Sequence, residues 1–170
     1  PEKVRAVHEA YLEAGVDILN TNTFGGNRLK LKEYDLDTKI IEINTRAVQI
    51  AQEARKKVSR PIFIAGSIGP TGEFLAPLGK MSFEALFEIY AQQVKALSDA
   101  GADIINLETM VDIAELRVAV LAARSVTHLP IFANLTFTES GRTLTGSDPL
   151  SGFNILHGLG LEFVGMNCGL

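Results

Sequence analysis

Cys168 is the only cysteine of the chain and stands in Gly165-Met166-Asn167-Cys168-Gly169, after an apolar run. A thiol there can be buried filler, a nucleophile or a metal ligand. A nucleophilic cysteine needs a nearby base, usually histidine, and a zinc site needs three or four protein ligands. The histidines offer neither: His8 falls on a predicted first helix, His128 in a turn before Pro130 and His157 on a predicted last helix. On the residues alone, Cys168 stays open between a structural and a chemical role. Glu108 is the second candidate, a carboxylate directly after the apolar run Ala102 to Leu107. Such a group can bind a substrate ammonium, act as a base, or bond to a neighbouring loop.

Other chemistries are weaker. A phosphate loop ending at Gly79-Lys80 would need Gly at Phe74 and Ser or Thr at Met81, and no Gly-x-Gly-x-x-Gly follows a predicted strand. A Schiff-base enzyme would need a lysine at a strand end, whereas Lys80 belongs to a loop. An aldolase-like or decarboxylase-like barrel with Glu108 as acid or base remains the rival enzyme class.

The elements that must position these residues alternate between helical periodicity and short apolar runs. Val4 to Ala14 predicts a helix closed by Gly15, and Val16 to Leu19 a strand. A helix is expected over Ile40 to Val58, with Ile43, Ala47, Ile50, Ala51 and Ala54 on one face, then a strand from Pro61 to Ala65. Ser82 caps a helix reaching Ala100, and Ala102 to Leu107 is the next strand. Asp112-Ile113-Ala114-Glu115 reads as a capping box for a helix to about Ser125. Pro130 to Leu135 is a strand, Asp148-Pro149 starts a helix, and Glu162 to Met166 is the last strand. Strands that are apolar throughout, separated by helices, imply a parallel sheet covered by helices.

A unit also repeats. Glu13-Ala14-Gly15-Val16-Asp17-Ile18-Leu19-Asn20 echoes Asp99-Ala100-Gly101-Ala102-Asp103-Ile104-Ile105-Asn106, with a fainter copy from Gly160. Aligning the glycines puts Asn22, Glu108 and Asn167 at one step, and Thr23, Thr109 and Cys168 at the next. Repetition of helix, glycine and strand is what an α/β barrel of the (β/α)8 TIM type gives. Such a barrel has eight strands and typically about 250 residues, while this chain offers about five strands. The expectation is therefore one partial barrel domain over residues 1–170, with a doubly wound open sheet as the alternative. Both folds gather their sites at the C-terminal strand ends. Strand parity would send Glu108 and Cys168 to opposite faces unless a bulge re-aims one of them.

Composition narrows the partners. A net charge of −4 argues against nucleic acid, and the densest basic cluster, Arg55-Lys56-Lys57 with Arg60, closes a helix where cations suit the dipole. No run of about 18 apolar residues exists to span a membrane. A lone cysteine forms no internal disulfide, so a cytoplasmic setting is the default expectation.

Four strings occur together and in order: Thr21-Asn22-Thr23-Phe24-Gly25, Gly66-Ser67-Ile68-Gly69-Pro70-Thr71-Gly72-Glu73, Glu108-Thr109-Met110-Val111-Asp112-Ile113-Ala114-Glu115, and Gly141-Arg142-Thr143-Leu144-Thr145-Gly146. With the closing Asn167-Cys168, the chain resembles the homocysteine-binding domain of the cobalamin-dependent methionine synthases, within the zinc-dependent homocysteine S-methyltransferase family. The resemblance implies a (β/α) barrel and a zinc ion held by three cysteines. Cys168 corresponds to the first, and the other two belong to a Gly-Gly-Cys-Cys-Gly motif that this sequence does not contain. It implies homocysteine as substrate, with Glu108 near its amino group and Asn22 and Thr23 as further contacts. Methylcobalamin would be the donor, carried on a separate module, and folate- and cobalamin-binding modules of the same polypeptide would be partners. Betaine or S-methylmethionine as donor, and a non-catalytic half-barrel that acts only by assembly, are the alternatives.

Overall fold

The computed structural model describes residues 1–161 and 163–169; Glu162, the expected first residue of the last strand, lies outside them. Five strands, β1 (Ile18–Asn20), β2 (Phe63–Ile68), β3 (Ile104–Met110), β4 (Ile131–Leu135) and β5 (Phe163–Met166), alternate with six helices. The helices are α1 (Glu2–Glu13), α2 (Arg28–Lys32), α3 (Ile40–Arg55), α4 (Phe83–Asp99), α5 (Ile113–Val126) and α6 (Pro149–Gly158). The strands pair in parallel in the order β1-β2-β3-β4-β5. A doubly wound sheet reverses its strand order part-way, and this one does not. Successive right-handed crossovers in one direction keep every helix on one face, which is the winding of an open piece of barrel.

Local chemistry sets the boundaries. Ser82, Asp112 and Asp148 each cap a helix by accepting backbone N–H groups, and Asn27 does the same for α2, a short helix that carries no periodic signal. The repeated glycine that ends α1 and α4 has φ of +95° at Gly15 and +91° at Gly101, a conformation a side chain would strain.

The strands are two-faced rather than apolar throughout. Leu19, Ile64, Ile68, Ile105, Leu107, Ala133 and Leu135 are buried on the face beneath the helices. The alternate positions form the concave face, whose lower rim is apolar (Ile18, Phe63, Phe163) and whose upper positions are polar (Asn20, Ser67, Asn106, Glu108, Asn134). A row of amides crosses it: Asn134 Nδ2 donates to Asn106 Oδ1 at 3.0 Å, and Asn106 Nδ2 donates to Asn20 Oδ1 at 3.3 Å. Gly165 is paired with Asn134 in the ladder, and a Cβ there would sit 2.5 Å from Asn134 Oδ1.

The expected capping box forms only by half. Asp112 accepts from the Ala114 and Glu115 amides, but Glu115 does not fold back. Its Oε1 instead accepts from the Thr71 amide (2.8 Å), the Thr71 hydroxyl (2.6 Å) and the Tyr90 hydroxyl (2.8 Å). This carboxylate therefore pins the loop after β2 to α4 and α5. Burial pushes its pKa up, against the opposing pull of the Thr71 and Tyr90 hydrogen bonds. The folded chain thus keeps this proton to higher pH than the unfolded chain, so stability declines as pH rises through the raised folded value. Glu115→Gln keeps the accepting oxygen without the charge. It is expected to gain stability relative to wild type as pH rises from about 4 to 7; denaturant titrations at stepped pH check this, and a pH-independent difference would contradict it.

Candidate functional site

Glu108 stands near the C-terminal end of β3, half-buried on the concave face. Its two oxygens are held from two other strands. Ser67 Oγ of β2 donates to Oε1 at 2.5 Å, and Asn167 Nδ2, just past β5, donates to Oε2 at 3.0 Å. Asn167 Oδ1 also accepts from the Thr109 amide at 2.8 Å. The ladder between β3 and β4 shifts register between Leu107 and Met110, so an irregularity sits at this step.

Ser67 is itself fixed by the strand-end segment of β1. Its amide donates to Thr21 Oγ1 (3.1 Å), the Thr21 and Thr23 hydroxyls pair at 2.6 Å, and Thr23 Oγ1 donates to the Ser67 carbonyl (2.7 Å). With one proton per hydroxyl, the circuit closes if Thr21 donates to Thr23. Thr23 is 2% exposed, with its hydroxyl engaged by Thr21 and Ser67. The following turn is anchored from behind: Gln93 Nε2 donates to the Thr23 carbonyl and Asn44 Nδ2 to the Gly26 carbonyl.

Cys168 is exposed, which removes the buried-filler reading within this chain. It lines a hollow of about 220 Å³ with Phe137, Met166, Asn167 and Gly169. Its backbone is left-handed (φ 50°), as is that of Thr109 (φ 59°), the residue at the same step of the repeat. These are uncommon conformations for non-glycine residues and bend the chain at the two strand ends, where simple alternation stops applying. Asn22 is exposed and lines a separate hollow of about 550 Å³ between α1 and the uncovered edge of β1. The structure thus joins Glu108 to the residue beside Cys168, while Asn22 faces the β1 edge. Sequence reasoning placed Thr21 and Ser67 in the strand-end strings without giving either a role of its own, and it overlooked the amide row; the polar residues recurring among apolar strand positions were the available signal.

Among the described residues no cluster of three or more His, Cys, Asp or Glu is placed to hold a metal. Cys168 offers a single exposed thiol, a donor suited to zinc but insufficient by itself.

The sequence profile of the homocysteine S-methyltransferases matches residues 1–170. The chain belongs to that family. A methionine synthase of Mycobacterium leprae is 32% identical over 176 residues, covering 99% of this chain and 14% of that protein. This member of the homocysteine S-methyltransferases therefore spans about one-seventh of the length of that relative. The metallated form of the homocysteine methyltransferase MmuM from Escherichia coli superposes with a TM-score of 0.85 at 24% identity, over 99% of this chain and 63% of that one. The carboxyl transferase domain of Rhizobium etli pyruvate carboxylase superposes at a TM-score of 0.60 and 17% identity, covering 97% and 24% of the two chains. These likenesses bear out the barrel-type α/β fold and the partial strand count.

The clamp on Ser67 gives a stability test. Thr21→Val leaves the Ser67 amide without its partner and breaks the hydroxyl circuit, so a loss of about 1–3 kcal/mol is expected in denaturant titration. Faster hydrogen exchange at the Ser67 amide should accompany it, and unchanged exchange would count against the clamp.

Proposed function

We propose that this chain is the homocysteine-binding part of a zinc-dependent methyltransferase that makes methionine. The observation that carries the reading is the hydrogen bond that Glu108 accepts from Asn167, the residue next to the exposed thiol of Cys168. A carboxylate and a thiol at one strand-end cluster suit an amino thiol, whose ammonium pairs with one and whose sulfur lies towards the other. Glu108, oriented by Ser67 and Asn167, takes the substrate ammonium. Asn22 is a further contact, and Thr23 contributes by holding Ser67.

Cys168 is one zinc ligand, and the others belong to the polypeptide outside these residues. Zinc held by thiolates keeps a substrate thiol deprotonated at neutral pH, where a free thiol with a pKa of about 8.5 is mostly protonated. The chain's own residues then aim the sulfur by fixing the amino end. Methylcobalamin on a separate module is the proposed donor, with folate- and cobalamin-binding modules as partners in the same polypeptide and a cytoplasmic setting. Similarity to a long methionine synthase favours that donor. The likeness to MmuM supports the fold and leaves S-methylmethionine as the second donor to test.

The full-length polypeptide is expected to hold one zinc and to methylate homocysteine, and Cys168→Ser to lose both. The 170-residue chain by itself should bind zinc weakly and transfer no methyl group. Metal analysis and a methionine assay with each donor check this; stoichiometric zinc on Cys168→Ser would overturn the ligand assignment. In chelator-treated protein Cys168 should be alkylated readily, since it is exposed.

A further inference from the structure

All four polar groups of Asn167 are engaged, and from the end of β5 they reach β4 and β3. Its amide donates to the Leu135 carbonyl of β4 at 3.2 Å, and its carbonyl accepts from Thr136 Oγ1 at 2.9 Å. Its side chain passes over the end of β4 to β3. There Oδ1 accepts from the Thr109 amide at 2.8 Å and Nδ2 donates to Glu108 Oε2 at 3.0 Å. The carboxamide thus grips one peptide step at two points, once through the backbone and once through a carboxylate. The next residue is Cys168 in its left-handed turn.

We propose that Asn167 is a positioning residue that fixes the separation between the amino-binding carboxylate of Glu108 and the thiol of Cys168, and so selects the chain length of the amino thiol. The inference rests on the functional reading above. An α-amino thiol one methylene shorter presents its ammonium and sulfur closer together and cannot satisfy both ends of a rigid gauge. Rigidity comes from the geometry: Thr109 and Cys168 cannot relax independently while one carboxamide bonds to residues 108 and 109 and its own backbone is tied to β4. Only Asn offers an acceptor and a donor at this reach. Asp is isosteric and keeps the acceptor for Thr109, but it turns an oxygen towards the Glu108 carboxylate. Gln is one methylene too long.

The test uses the full-length polypeptide with Asn167→Asp, Asn167→Ala and the wild type. Zinc content, thermal melting, calorimetric homocysteine binding and steady-state kinetics with homocysteine and with cysteine are measured. Asn167→Asp is expected to fold and hold zinc as the wild type does. Its homocysteine KM should rise about tenfold or more, the size expected for one lost hydrogen bond to a charged group, with kcat falling less. The preference for homocysteine over cysteine should shrink in both variants. A mere space-filling role would leave the isosteric Asp variant with unchanged KM and preference, which would overturn this inference alone. A wild type that neither binds nor methylates homocysteine would overturn the functional reading and this inference together.

Discussion

A carboxylate on the concave face of a parallel sheet must be given donors to replace the water it loses, and β3 cannot supply them. At this step the Thr109 amide of β3 goes to Asn167 Oδ1, and the donors to Glu108 come as side chains from β2 and from the end of β5. That requirement propagates. Ser67 can aim its hydroxyl only because Thr21 and Thr23 grip its amide and carbonyl. Those threonines are held in turn by a chain segment that Gln93 of α4 and Asn44 of α3 tie down. One charge at the mouth thus sets the conformation of four strand ends.

Much of the fold was legible because its punctuation is strong. Caps at Ser82, Asp112 and Asp148 and the repeated glycines mark where helices begin and end, and the five strands fall close to their expected positions. Where the reading failed, the cause was local. The short helix Arg28–Lys32 has too few turns to show a period. Expecting strands apolar throughout overlooked alternation at Asn20, Asn106 and Asn134, because a parallel sheet ordinarily hides both faces. Glu115 satisfied the capping pattern in sequence, yet the backbone donor it was expected to meet lost to three donors from Thr71 and Tyr90. No sequence pattern announces competition between partners that meet only after folding.

The candidate site was legible in residue type more than in arrangement. Glu108 and the Asn167-Cys168 step stood out through the repeat, and the structure joins them. The facing of Cys168 could not be derived from alternation, because Cys168, like Thr109 at the equivalent place, has a left-handed backbone that breaks the two-residue period. Those two copies of the repeat share a backbone turn rather than a side-chain function, and Thr23, at the same step of the first copy, does not adopt it. One step earlier the repeat leaves Asn22 exposed, Glu108 as an acceptor and Asn167 as its donor. Varying the terminal side chain from strand to strand is how barrel strands assemble unlike groups at one end of the sheet.

The layer beneath that site explains how such precision is held. Barrel interiors are usually filled by branched apolar side chains, whereas here amides from β1, β3 and β4 join across the concave face. Unpaired, the buried Asn106 would be costly; paired, each amide fixes the orientation of the next, since one that donates to its neighbour's oxygen cannot flip without losing the bond. Asn106 lies two residues before Glu108 and on the same face, so the carboxylate rises from the middle of this row. The absent side chain at Gly165 leaves room for the oxygen of Asn134 and brings β5 against β4 directly below Asn167. The Glu108–Asn167 bond thus sits above a polar floor that helps to space the strands carrying it. A weak contact between two loops would wander, but the same contact raised on a directional row of amides has one geometry to adopt.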